Sequence, residues 1–511
     1  MNRRKVEALK VLLRPAFLNY VLAALSGLLL ALPFLFPPLS ILVWIGFMPL
    51  LYVLRNTNHK SVLLTGIVFG FTFFSIVLYW IRIFGFLAWF ALSIYLSIWV
   101  VLFAAGAWWI MKTYRGAAQF ILIPSLWTLC EHGRALGPWG FGWAQVGSAV
   151  ENISLLAIAS YVGELGLGFA IVLVNLIVLY TAETIALRRK PNALFKGALI
   201  LLIIALVFSA TNLSSEQASR SIKMLAKPIK VAIIQPNLPK SLEASKFNGR
   251  FIEDRYFSMT IQALMKKPDL IIWPENIFMA YRYDESEFLE RLRKFTNWSN
   301  TPLMFGRLER EDRNIYNSAF YIDESGKTHV YRKIRPVPFG EFVPMRGLVE
   351  RLNSMAKLVS DIKPGRDFKV FDIRHGGKFS TIICFESSDS MLVGKMIRRG
   401  ARMIIVLTND SWFGKTAAAE QHFRITRMRA IEYRVPVIQA ASTGISGIIN
   451  QYGEVINRTK INEQRILYGK VEFAHKPSFF ARFGYLMPYL YLVFIFTAIL
   501  FRFLSRRPTL S

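Results

Sequence analysis

Three residues of different chemistry stand just past apolar runs, far apart in the chain: Glu275 after "LIIWP", Lys333 after "THVYR" and Cys384 after "FSTII". The chain holds two cysteines, Cys130 and Cys384. A thiol is a strong nucleophile only as thiolate, and its ordinary pKa is about 8.5. A carboxylate within hydrogen-bond reach can take its proton, and a neighbouring ammonium can stabilise both the thiolate and the oxyanion formed when sulfur attacks a carbonyl. Together the three are equipped for acyl transfer through a thioester. No histidine stands where a papain-like enzyme would need one: His329 precedes Lys333 in a turn, His375 lies in a Gly-flanked loop and His422 in a helical stretch. Taken singly, each residue has a plainer reading. A strand cysteine commonly packs as a small hydrophobe, Glu275 could cap a helix starting at Asn276, and a lone lysine is usually a surface charge.

The elements that must position them lie in residues 212–482. "IKVAIIQ" (229–235) is a strand stopped by Pro236, "DLIIW" (269–273) one halted by Pro274, and "PLMFGRLER" with "IYNSAFYID" an alternating strand pair. Further strands end at Lys333, at Cys384 and at Asn409–Asp410; residues 418–436 have helical periodicity and residues 437–456 return to strands. Strands interleaved with helices give an α/β layered domain, whose strand ends gather reactive side chains. With about 270 residues this segment can bury its own core. It carries 44 Lys and Arg against 28 Asp and Glu, a basic surface that suits anionic lipid headgroups or simply solvent.

The rest of the chain is a different material. Mean hydropathy is +0.36 and 53% of residues are hydrophobic, too apolar for an ordinary soluble protein. A bilayer core takes about 20 apolar residues per helix. Eight stretches qualify: about 17–36, 39–54, 61–81, 84–111, 117–130, 154–187, 197–211 and 483–503, with 39–54, 117–130 and 197–211 short. Eight spans with a cytoplasmic N-terminus put 16 of the 18 Lys and Arg outside residues 212–482 on the cytoplasmic side, leaving only Arg82 and Arg134 opposite. The expected division is a membrane domain at 1–211, an extracytoplasmic catalytic domain at 212–482, and an eighth span with a cytoplasmic tail at 483–511. Cys130 ends a span and Cys384 ends an outer strand, so a disulfide between them is not expected, and an unpaired thiol in an oxidising compartment points to catalysis. Nucleic acid is excluded as a partner by the same topology.

"WPEN" around Glu275, "YRKIRPVPFGEFVP" around Lys333 and "IICFES" around Cys384 resemble, in that chain order, the signatures of the nitrilase, or carbon–nitrogen hydrolase, superfamily. A domain of that kind between a seventh and an eighth span is similar to the apolipoprotein N-acyltransferase family, over essentially the whole chain. The resemblance implies an αββα sandwich with Glu275 as general base, Lys333 as oxyanion stabiliser and Cys384 as nucleophile. It implies Glu341 and Glu386 as supporting acidic residues. Many members have Tyr where this chain has Phe385. It further implies a bacterial inner-membrane enzyme with a periplasmic active site. Cys384 would take an acyl chain from a phospholipid and pass it to the amine of a diacylglyceryl-modified N-terminal cysteine of a lipoprotein, in a ping-pong scheme. A monomer is expected, with no metal, nucleotide or other cofactor.

Two membrane-facing features go with it. Residues 341–365 space Leu348, Leu352, Met355 and Val359 helically among basic residues, as a mobile arm dipping into an interface would; packing on the domain's own core is the alternative. Pro138 to Trp143, with Trp139 and Trp143, suits a re-entrant loop lining lipid access, or equally an aromatic belt. The competing functions are a membrane-tethered amidase or nitrilase that releases its acyl group to water, and a transporter with an inert outer domain. Few acidic residues in the spans speak against transport.

Overall fold

A backbone in hydrocarbon must satisfy its own N–H and C=O groups, and the apolar stretches do so as helices. The structure, a computed structural model, describes residues 15–188, 227–238, 249–277, 285–343, 346–347, 361–474 and 476–505. The chain divides into two compact units, residues 1–215 with 483–511, and residues 216–482.

The first unit contains α1 (Pro15–Leu35), α2 (Met48–Asn56), α3 (His59–Val77), α4 (Phe86–Thr113), α5 (Ala117–Arg134), α6 (Ala159–Ala186) and the C-terminal helix Met487–Ser505. Six stretches among the described residues are long and apolar enough to cross a membrane: Phe17–Leu35, Pro37–Asn56, His59–Val77, Phe86–Thr113, Ala159–Ala186 and Phe479–Leu504. Of the eight expected, the span at 117–130 falls on α5, an 18-residue helix that carries Gln119, Pro124, Glu131, His132 and Arg134 and is not among the six. The span at 197–211 lies outside the described residues.

The second span is broken rather than continuous. Pro37 and Pro38 open a 3-10 helix, Pro37–Trp44, and α2 follows after a turn. The backbone groups freed at the break find a side chain: buried Asn175 of α6 accepts from Phe47 N at 2.9 Å and donates to Val43 O at 2.9 Å. A lone asparagine in an apolar helix is thereby fully used.

The second unit is two six-stranded sheets with helices on them. The first runs β12-β1-β2-β3-β4-β5, from β1 (Ile229–Gln235), β2 (Leu270–Ile272), β3 (Leu303–Glu311), β4 (Asn314–Ile322), β5 (Thr328–Arg332) and β12 (Arg465–Val471). The second runs β11-β10-β9-β8-β7-β6, from β6 (Phe371–Ile373), β7 (Gly377–Ile383), β8 (Ile404–Thr408), β9 (Val437–Ala441), β10 (Gly447–Ile449) and β11 (Val455–Arg458). Each has a parallel centre, β1-β2-β3 and β7-β8-β9, flanked by antiparallel strands. Apolar central runs such as "IIVLT" in β8 are buried throughout, as strands covered on both faces must be.

Helices α7 (Gly249–Leu264) and α8 (Glu285–Ser299) cover the first sheet: Ile252, Tyr256, Phe288 and Leu292 join Ile271, Trp273, Phe305 and Phe320 in one core. Helices α9 (Ser390–Arg398) and α10 (Ala418–Tyr433) belong to the second half. Between the sheets Tyr321 of β4 meets Phe379 of β7 edge to face at 5.1 Å. Parallel strands end on one edge. Two antiparallel steps, β3 to β4 to β5, restore the direction, so β5 ends on the same edge as β2 and β3.

Candidate active site

Glu275 lies three residues beyond β2, where Pro274 has stopped the strand. Residues 276 and 277 are irregular, with Asn276 at φ +47°, so Glu275 caps no helix there and that reading is corrected. Its carboxylate points inward and is 5% exposed. Oε1 accepts from Asn317 Nδ2 of β4 at 2.8 Å, and Oε2 accepts from the Asn409 backbone N–H, just past β8, at 2.9 Å. A Cβ at Gly306 of β3 would come within 2.7 Å of the Glu275 Cα, so the close approach of these two segments requires glycine.

Lys333 is the first residue after β5 and is 1% exposed, a buried charge rather than a surface one. Its Nζ lies 2.8 Å from Glu341 Oε2 and 3.7 Å from Glu275 Oε1. Glu341 is held in turn by the Asn317 amide at 2.7 Å and the Val337 N–H at 2.7 Å. Burial alone would depress the lysine, but the Glu341 and Glu275 carboxylates outweigh it and keep the ammonium protonated well above its ordinary range. Burial pushes the Glu275 carboxyl upward, against the pull of Lys333 and with the push of Glu341.

Cys384 is the first residue past β7 and opens a 3-10 turn, Cys384–Ser388, with φ +50°. A non-glycine residue in that region costs about 1–2 kcal/mol and needs its surroundings to hold it there. Burial and the Glu275 charge push the thiol well above its ordinary range, Lys333 pulls it down and Asp410 pushes it up.

Glu386, fully buried in the same turn, ties the elbow to the Lys333 loop. It accepts from Tyr331 OH at 2.9 Å, from Ile334 N at 2.7 Å, from Arg335 N at 3.1 Å and from Ile383 N at 2.8 Å. Burial pushes its carboxyl up to about 7, against these donors and Lys333. Phe385, next to Cys384 in the turn, is buried.

The structure therefore brings Glu275, Lys333, Glu341, Cys384, Phe385 and Glu386 together from strand ends of the two sheets, joined by Glu275 to Asn409 and by Glu386 to the Lys333 loop. Asn317 and His422 join them without having been expected. The signal for Asn317 was an amide inside the apolar run "IYNSAFYI" of β4, since a buried amide in a strand demands a partner. His422, fully buried on α10, faces Asp410 Oδ1 at 3.0 Å. Cys384, Asp410 and His422 are the group among the described residues that could hold a metal ion, with ligand atoms within 4.8 Å of one another. The histidine nitrogens already face Asp410 and the Cys384 carbonyl, so an ion would have to displace those bonds.

In the first unit, Trp143 is 2% exposed and packs on Trp80 with ring centroids 5.4 Å apart. Trp139 is half-buried, and its carbonyl accepts from Tyr95 OH at 3.5 Å. Leu348, Leu352 and Met355 lie outside the described residues.

A helical membrane unit joined to an α/β sandwich, with acid and lysine at strand ends of one sheet and the thiol at a strand end of the other, defines a membrane-bound protein of the nitrilase class. Residues 221–475 match the carbon–nitrogen hydrolase family, and residues 26–177 match the apolipoprotein N-acyltransferase N-terminal domain. An apolipoprotein N-acyltransferase of Geobacter metallireducens is 32% identical over 488 residues, covering 91% of this chain and 92% of the relative. One from Thermotoga maritima is 26% identical over 505 residues, 95% of this chain and 94% of the relative. Among solved structures, Saccharomyces cerevisiae Nit3, a nitrilase-superfamily member, aligns at a TM-score of 0.39 and 20% identity, covering 49% of this chain and 92% of that one. The chain belongs to the apolipoprotein N-acyltransferase family and is an acyltransferase.

Proposed function

We propose that the protein moves a fatty acyl group from a phospholipid to the α-amine of a diacylglyceryl-modified N-terminal cysteine of a lipoprotein, through a thioester on Cys384. The reading is supported by one observation: a buried ammonium, Lys333, sits between the Glu341 and Glu275 carboxylates, in a loop that Glu386 ties to the turn begun by Cys384.

Glu275 takes the thiol proton: burial holds its carboxyl above the ordinary range and so makes it a stronger base, while the Lys333 charge favours the thiolate. The sulfur attacks the ester carbonyl, and Lys333 stabilises the oxyanion. Collapse breaks the ester C–O bond. The departing lysophospholipid alkoxide takes the proton back from Glu275, leaving the thioester. The amine then attacks the thioester carbonyl, Glu275 accepts its proton, and the Cys384 thiolate leaves and is reprotonated. Glu341 holds Lys333 in place, and Glu386 holds the elbow. Eight spans, with the 197–211 stretch and α5 among them, keep both termini cytoplasmic and residues 212–482 in the periplasm of a bacterial inner membrane, at the leaflet that carries both lipid substrates. Trp139 and Trp143 serve lipid access in the membrane unit, and the protein acts as a monomer.

Intact-mass analysis after incubation with phospholipid vesicles tests the reading. A one-acyl increase on Cys384 that persists until an amine acceptor is added is expected. Absence of the adduct, or its survival in Cys384→Ala, overturns it, and loss to water without an acceptor favours an amidase.

A further inference from the structure

The reaction above leaves the buried pair Asp410 and His422 without a task, although it lies against the nucleophile. His422, on α10, reaches two other segments at once. Its Nδ1 is 3.0 Å from Asp410 Oδ1, which also accepts from Thr408 Oγ1 at the end of β8 at 2.7 Å. Its Nε2 is 3.2 Å from the Cys384 carbonyl oxygen and 3.0 Å from Ser387 Oγ. A carbonyl oxygen can only accept, so the contact with Cys384 requires a hydrogen on Nε2. The Asp410 carboxylate and Nδ1 then share a second proton, which fixes the ring's orientation.

We infer that His422, oriented by Asp410, is a positioning residue: by donating from Nε2 to the Cys384 carbonyl it locks the left-handed turn that aims Sγ. The turn has φ +50° at a residue with a side chain, a conformation that relaxes unless something holds it. With the donor removed, the carbonyl loses the bond that ties it to α10 and the strained residue is free to return to an ordinary φ. That rotation carries Sγ away from Glu275 and Lys333. The Asp410 carboxylate oxygen, the ring nitrogen and Sγ lie within 4.8 Å of one another, so the lock sits beside the reacting atom. Gly444 fits the same purpose, since a Cβ there would meet Asp410 Oδ2 at 2.4 Å and displace the carboxylate.

This inference rests on Cys384 as the nucleophile, and its test needs no acyl donor. Alkylation of Cys384 by iodoacetamide is followed by peptide mass spectrometry on the full-length protein in detergent. His422→Phe should slow labelling by about tenfold or more, the loss of one buried hydrogen bond and its geometry. In His422→Gln the side-chain amide can still donate to the Cys384 carbonyl, and it should recover labelling to within about threefold of the native rate. Ser387→Ala should stay within about twofold. Should His422→Phe not fold, His422→Asn, too short to reach the carbonyl, takes its place with the same expectation. Acyl transfer should follow the same order through kcat, with the KM for phospholipid unchanged. Native labelling in His422→Phe or its Asn substitute, a folded His422→Gln as slow as they are, or a Ser387→Ala that reproduces their loss overturns the inference. A native chain that forms no acyl adduct with phospholipid sinks the proposed reaction instead, and leaves the labelling series to judge His422 alone.

Discussion

Asn317 puts one amide between two carboxylates, with Nδ2 2.8 Å from Glu275 and 2.7 Å from Glu341. Asn317→Leu removes a shared donor at a buried site, leaving Lys333 alone to separate two like charges. Such a loss costs about 1–3 kcal/mol. Single-turnover adduct formation should therefore fall about 10- to 100-fold while the fold survives, as judged by thermal unfolding. The same cluster sets a pH dependence. A base must be ionised to accept the thiol proton, and burial holds the Glu275 carboxyl above its ordinary 4.5. The rate of adduct formation should thus decline as pH falls through a value above 4.5. Glu341 pushes Glu275 upward, and so Glu341→Gln should move that acidic limb to lower pH. A limb that stays where it is, or moves up, contradicts the assignment of Glu275 as base. Lys333 and the thiol are the other charged partners at this spot, and Lys333 keeps its charge across that range.

At the level of elements, Glu386 joins the β7 elbow to the β5 loop by accepting from donors on both sides. Glu386→Gln must turn an NH2 group against a backbone N–H, at Ile383 or at Ile334 and Arg335. The variant should lose about 1–3 kcal/mol of stability, with slowed Cys384 alkylation, measured by thermal unfolding and mass spectrometry. A second test sits in α5, where Arg134 donates to the carbonyls of Phe141 at 2.8 Å and Trp143 at 2.6 Å and pairs with Glu131 at 3.7 Å. Arg134→Leu removes the countercharge of a buried carboxylate and the donor to two carbonyls, and should destabilise the protein in detergent by about 3–5 kcal/mol. These elements differ in how far the sequence exposed them. The strand ends were legible because an apolar run followed by proline or a charged residue marks both the strand and its stop, which is how Glu275, Lys333 and Cys384 stood out. Asn317 and His422 were hidden because their partners lie on other strands: the Asn317 amide looks like a break in alternation, and His422 sits inside ordinary helical periodicity. The broken second span escaped for a different reason. A 3-10 helix and an α-helix have the same hydropathy, and its rescue by Asn175 comes from a helix more than a hundred residues away.

For the whole molecule, topology follows from parity once the charges are placed. Five of the six candidate spans precede residue 212, and with the proposed cytoplasmic N-terminus the basic groups Arg55, Lys60, Lys112 and Arg115 would fall on the cytoplasmic side whatever follows. If α5 does not cross, α6 delivers Arg188, Arg189, Lys190 and Lys196 to the outside, against the charge bias. If α5 crosses and 197–211 does not, residues 212–482 stay in the cytoplasm and the last helix sends Arg502, Arg506 and Arg507 outward. Only when both cross do all these groups face the cytoplasm and the thiol face the outer leaflet. The short, polar-tipped α5 tolerates Glu131 and Arg134 because they pair with each other, while Arg134 donates to two loop carbonyls and Glu131 accepts from the Val146 N–H. Reporter fusions decide the matter: alkaline phosphatase, active only outside the cytoplasm, should be active when fused after residue 150 or after residue 226, and silent after residue 193 or at the C-terminus. Activity after residue 193 would remove α5 from the spans. Silence after residue 226, with residue 193 also silent, would remove the 197–211 stretch and put Cys384 in the reducing cytoplasm, on the wrong side of the membrane for the proposed reaction.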